Sequence, residues 1–139
     1  MKLTQFASRF RRMMEKCDPS ELLQIPALSR FPRGACGDTS DLLAMYLVDN
    51  GFSNVSYVCG MDGSQSHAWL EFDGWLVDIT ADQFVGVDES VIVTKDRSFH
   101  DRFKRQISVH GNPERHNKQV FERLSSAYLL VLSKESECS

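Results

Sequence analysis

The chain reads as an α+β fold in which an antiparallel sheet packs against a central helix carrying Cys36 at its N-terminus. Three observations lead there. Both ends carry apolar residues at helical spacing: Leu3, Phe6, Phe10, Met13 and Met14, and again Val120, Phe121, Leu124, Tyr128 and Val131. The stretch "RGACGDTSDLLAMYL", Arg33 to Leu47, passes from small, turn-forming residues into an amphipathic run. Between these lie "NVSYVCG", "SHAWLEF", "WLVDIT" and "SVIVT", short runs rich in β-branched and aromatic residues and separated by Gly and Asp turns, which imply at least three strands.

Taken in order, the first helix runs from Leu3 to about Lys16, and Asp18 with Pro19 in "DPSELLQ" suits the start of a second. "IPALSRFPRGACG" is irregular, because Pro26, Pro32, Gly34 and Gly37 interrupt any period. The helix that begins near Cys36 buries Leu42, Leu43, Met45, Tyr46 and Leu47 and stops at "DNG", where Gly51 can turn left-handed. After the strands, "SFHDRFKRQISVHGNPERHNK" reads as a mobile polar surface, with His100, His110 and His116 outside any metal site. Asn112 and Pro113 open the C-terminal helix, and a strand through "YLLVL" is the competing assignment.

A length of 139 residues with 42% hydrophobic content suits one domain, residues 1–139, with a core at 33–94 flanked by helical segments. Sixteen basic and 19 acidic residues are spread along the chain, so its net charge of -3 offers no field for nucleic acid. The clusters "RFRR" (9–12) and "RFKR" (102–105) read as solvated faces. "MKLTQFASRFRRMMEKC" has no continuous apolar core, and no stretch is long enough to cross a bilayer, so we expect a cytoplasmic chain with no membrane partner. Cys17, Cys36, Cys59 and Cys138 form no CxxC pair, and no run of alternating carboxylates suits calcium, so no metal or cofactor is expected. One thiol among the four is then a candidate nucleophile.

The hairpin sharpens that choice. With Asp73 and Gly74 as its two turn residues, Phe72 pairs with Trp75, Trp69 faces Asp78, and His67 lies diagonal to Asp78. His67, Trp69, Glu71, Leu76, Asp78 and Thr80 share one face, while Ala68, Leu70, Phe72, Trp75, Val77 and Ile79 form the apolar core face. A carboxylate at diagonal reach can fix an imidazole's tautomer and raise its basicity. Asp82 lies on the same parity just beyond the strand and rivals Asp78, which register favours. Trp69 and Trp75 read first as packing residues, while Trp69, on the site face, can also wall the cleft as a substrate-binding residue, and Glu71 is expected in solvent.

Cys36 supplies the third group. At a helix start, unpaired N–H groups and the helix dipole favour a thiolate over a thiol. Such a thiolate attacks an amide or ester carbonyl, His67 protonates the leaving amine, and the Cys36 N–H can bond the oxyanion.

A cysteine at a helix start followed by "HAWLEFDGWLVDIT" resembles the transglutaminase-like branch of the papain-like cysteine enzymes, over roughly Arg33 to Phe84. The resemblance implies a papain-like or transglutaminase-like core. It also implies a cysteine protease, amidase, deamidase or acyltransferase acting on a peptide or protein substrate. Cys36 is then the nucleophile, His67 the general base and acid, and Asp78 the orienting acid of a catalytic triad. Peptidases of that group carry an oxyanion-hole glutamine before the nucleophile, whereas "LSRFPRGA" has none, leaving the second oxyanion donor unassigned.

Blander readings stand beside this one. A free cysteine is among the most buried residue types, and a strand histidine is usually a satisfied polar group. The same fold could serve as a non-catalytic binding module, and Cys36, His67 and Asp78 could hold zinc. Cys59 reads as a packed strand thiol, with a regulatory disulfide to Cys36 as its sharper alternative.

Overall fold

The computed structural model describes residues 2–22 and 25–138. Helix α1, Lys2–Lys16, buries Leu3, Ala7, Phe10, Met13 and Met14 on one stripe, as its spacing demands. Asp18 and Pro19 open only a short 3-10 turn, Pro19–Leu22, and the rest of that expected helix lies outside the described residues. A second 3-10 turn, Pro26–Arg30, leads through Gly34 at φ +66° to helix α2, Cys36–Asp49. Helix α2 buries Leu42, Leu43, Ala44, Tyr46 and Leu47, while Met45 is only half-buried. Gly51 ends it at φ +97°, a backbone state that side chains disfavour.

Five strands follow: β1 Ser56–Asp62, β2 Gln65–Phe72, β3 Trp75–Asp78, β4 Ile92–Thr94 and β5 Lys104–His110. They form one antiparallel sheet in the order β4-β3-β2-β1-β5. The expected hairpin register holds, with Phe72 opposite Trp75 and Leu70 opposite Val77. Asp73 and Gly74, both at positive φ, make its turn.

The C-terminal segment departs most from the sequence expectation. The stretch expected to be mobile surface contains the buried residues His100 and Phe103 and then the edge strand β5, whose seven residues are all exposed. Asn112 caps only a 3-10 turn, Pro113–Arg115. The helix proper, α3 Lys118–Leu132, is capped by the Asn117 side chain accepting from the Val120 N–H. The "YLLVL" segment is therefore helical, with Tyr128 and Val131 in the core.

Both faces of the sheet are covered except at the exposed edge strand β5. Leu70, Val77 and Ile79 join the residues of α1, α2 and α3 in the larger core, mainly aliphatic with Phe10, Tyr46 and Tyr128 among it. Val58, Trp69 and Leu76 face the other way, into a small aromatic cluster with Phe84 and Phe103. Alternation along the strands sends neighbouring residues into the two cores. The chain therefore has two apolar faces where the hairpin pattern suggested one. Among the described residues no helix is long and apolar enough to cross a membrane.

Candidate active site

His67 sits in the middle of the aromatic face and is fully buried. Its Nε2 lies 2.6 Å from Asp78 Oδ2 at the end of β3, so the diagonal pairing expected from the turn is realised. Two further groups bind the same carboxylate. His100 Nε2 lies 2.7 Å from Oδ2, and the Thr80 N–H donates to Oδ1 at 2.9 Å. Asp78 is itself buried. Burial alone would favour its protonated form, but the bonds from His100 and His67 outweigh that and hold the carboxyl well below its usual range.

With Nε2 committed to Asp78, the other nitrogen, Nδ1, is free for a different task. It is buried and has no partner at ordinary hydrogen-bond geometry. Cys36, at the start of α2, is after Asp78 the group that favours the charged form of the ring. Burial pushes the imidazole pKa down, but Asp78 and then Cys36 push it up further, to about 9. Cys36 is half-buried, the most accessible member of the three.

Several contacts fix this arrangement. The Gly34 N–H, two residues before Cys36, reaches Gln83 Oε1 at 3.4 Å, and Gln83 Nε2 donates to Thr80 O at 3.1 Å. One side chain therefore ties the loop ahead of the cysteine to the turn behind the aspartate. Arg11 reaches the same turn from α1. It donates to Ile79 O at 2.7 Å and forks onto both Asp82 oxygens at 2.8 Å each. Asp82 is thus engaged by Arg11, and the imidazole partner is Asp78. The "RFRR" cluster is a solvated face only in part, since Arg12 is exposed but Arg11 is buried and also lies 4.7 Å from the Phe31 ring centre.

The aromatic shell corrects two other expectations. Trp69 is wholly enclosed, 4.7 Å from the His100 ring and 5.6 Å from the His67 ring, so it packs beneath the histidines and shows no face to a substrate. Its indole N–H donates to Glu71 at 3.2 Å, and Arg97 binds the same carboxylate, so Glu71 is half-buried and paired. Phe84 meets His67 edge-on at 4.9 Å. Arg102, part of the "RFKR" cluster, lies over Phe84, Phe99 and Phe103 at 5.0 to 5.4 Å and donates to Asp62 at 2.9 Å. It roofs the site with a cation over three rings.

All four thiols are free, and Cys59, opposite Ala68 in the ladder, points to the sheet face away from His67. His67, Asp78 and His100 are the described residues whose donor atoms gather closely enough to suggest a metal. Their spacing argues for hydrogen bonds. Tetrahedral ligands about 2.0–2.1 Å from zinc stand about 3.3 Å from one another, whereas these nitrogens approach the oxygen to 2.6 and 2.7 Å. Cys36 does not belong to that group, so the Cys36–His67–Asp78 zinc set is not formed.

His100 and Gln83 were not legible as site residues. "SFHDRF" sets His100 between Phe99 and Phe103, which both join the aromatic cluster, and that flanking was the available signal. Comparison of the chain with protein-family models, with curated proteins and with solved structures yielded no match.

Proposed function

We propose that the chain is a thiol-dependent hydrolase or acyltransferase with a transglutaminase-like core, acting on amide bonds of a peptide or protein. The observation that carries this reading is the division of labour on one ring. Asp78 occupies His67 Nε2, Nδ1 has no hydrogen-bond partner, and the Cys36 thiol at a helix start favours the ring's charged form.

In this reading His67 holds the proton that leaves Cys36, giving a thiolate beside an imidazolium that Asp78 stabilises. The sulfur attacks the substrate carbonyl and a C–S bond forms. The carbonyl electron pair moves to oxygen, and the Cys36 N–H, at the first helical position, can donate a hydrogen bond to the oxyanion. The oxyanion collapses, the C–N bond breaks, and His67 delivers its proton to the leaving amine. A thioester remains. Water or an amine, deprotonated by His67, then attacks that thioester and releases Cys36.

The test is the thioester itself. The protein is mixed with a panel of acyl-peptide amides and esters, quenched in acid and weighed intact. The expected result is an acyl adduct on Cys36 that is absent in Cys36→Ser. Its absence across the panel, together with a Cys36 no more reactive than Cys59, would favour the second reading, a binding module that keeps the fold. One observation supports that alternative: His67 and Asp78 are closed off from solvent, so substrate can reach the site only through Cys36.

A further inference from the structure

Two imidazoles share one carboxylate oxygen. His67 and His100 both place Nε2 on Asp78 Oδ2, at 2.6 and 2.7 Å, and both rings leave Nδ1 buried without an ordinary partner. The carboxylate accepts a third bond, from the Thr80 N–H, on Oδ1. An ionised carboxylate is acceptor-only, so each ring approaching at this distance presents Nε2–H. His100 is held for this role by packing. It lies on the 3-10 turn His100–Arg102, edge-on to Phe99 at 4.9 Å and 4.7 Å from Trp69, and Gln106 Nε2 donates to its carbonyl at 3.1 Å.

We propose that His100 is a positioning residue acting through Asp78: its Nε2–H fixes the carboxylate and, by sharing Oδ2, limits how strongly that oxygen binds His67. The inference rests on the His67–Asp78 couple of the proposed function but needs no turnover. A carboxylate oxygen that accepts two bonds gives each donor less than an oxygen that accepts one. His100 therefore moderates the basicity of His67. An imidazolium held too tightly by Asp78 would be a poor proton donor to a leaving amine. The charged and titratable groups around His67 are Cys36 from α2, Asp78 from β3 and His100 from the turn before β5. Arg102 lies outside the aromatic shell, and β1 sets the uncharged Gly60 opposite the ring.

The test is nuclear magnetic resonance of the histidine rings in the full chain. In the wild type, long-range nitrogen–proton correlations report the tautomer, and His100 is expected to be protonated at Nε2. A neutral His100 protonated only at Nδ1 would overturn the proposal without any mutation. Two variants then separate positioning from packing. His100→Gln places an amide N–H near the position of Nε2, and His100→Met fills the volume without a donor. The His67 midpoint should stay near its wild-type value in His100→Gln and rise by about half a pH unit or more in His100→Met. No rise in His100→Met, or an equal rise in both variants, would contradict it, as would stoichiometric zinc binding that either variant abolishes. A correct titration alongside an inert Cys36 would leave this inference standing while the thiol chemistry fell.

Discussion

The two faces of one sheet carry different physics. On the helical face, Leu42, Leu43, Leu47, Leu70 and Val77 meet α1 and α3 in a packing of mainly aliphatic side chains. On the other face, Val58, Trp69, Leu76, Phe84 and Phe103 enclose His67, Asp78 and His100. Burial on the first face stabilises in proportion to apolar area removed from water. On the second it lowers the local dielectric around three polar groups, which strengthens their bonds and penalises any left unmade. Strand alternation separates the two within single residues: Trp69 belongs to one face and Leu70 to the other. The aliphatic face should therefore supply most of the stability, and the aromatic face should set reactivity and the pH dependence of stability.

The largest expected effect falls on the chemistry. Cys36→Ser should leave the melting temperature nearly unchanged while acyl transfer falls by a factor on the order of 1,000 or more, because an alcohol is far less ionised than a thiol. Turnover kinetics on any substrate found by acyl trapping, beside a thermal melt, would check both halves. Asp78→Asn comes next. An amide can hold His67 in the wrong tautomer, so activity should drop by about 100-fold or more. An unchanged pH profile in that variant would count against the pairing.

The helical face gives the contrasting result. Leu42→Ala or Leu70→Ala should cost about 2–5 kcal/mol, since each side chain is fully buried. Denaturant unfolding measures the loss, and alkylation of Cys36 in the surviving folded fraction should keep its wild-type rate. A stable variant with a dead thiol would break the separation of the two faces.

Charge on the aromatic face predicts the pH dependence of stability. The folded pKa of His67 is raised, from 6.5 to about 9, so its contribution is full below about pH 6.5 and is lost as pH rises through 9. The amount is at most about 3 kcal/mol. Asp78 has the opposite sign: its pKa is depressed, so its contribution is present above about 3.8 and is lost as pH falls below that. Melting temperature should peak between these limits, and His67→Gln should flatten the alkaline side. An alkaline slope identical in both proteins would remove His67 from the account.

The parts of the fold that repeat or turn tightly were legible in the sequence. Helical spacing gave α1 and α3, and Asp73-Gly74 set the hairpin register and with it the His67–Asp78 pair. Long-range contacts were not. Asp82 has the same parity as Asp78, and only Arg11, 71 residues away, takes it elsewhere. His100 lies among Asp, Arg and Lys residues that read as surface, and it is buried against Trp69 on one side and Phe99 on another. Strand β5 escaped because all its side chains are exposed, which leaves no buried face to register. Trp69 looked like a cleft wall because one apolar face was expected; the second face encloses it.

The most direct measurement compares the four thiols within one molecule. The folded protein is treated briefly with iodoacetamide near neutral pH, digested, and the label at Cys17, Cys36, Cys59 and Cys138 quantified by mass, in wild type and in His67→Gln. Cys59 is the internal control, half-buried like Cys36 but on the sheet face away from His67. Cys17 should be slow, since burial raises its thiol to about 11. If Cys36 is activated by His67, it should label at least about ten times faster than Cys59 in wild type and lose most of that lead in the variant. Equal rates at Cys36 and Cys59, unchanged by His67→Gln, would contradict the account.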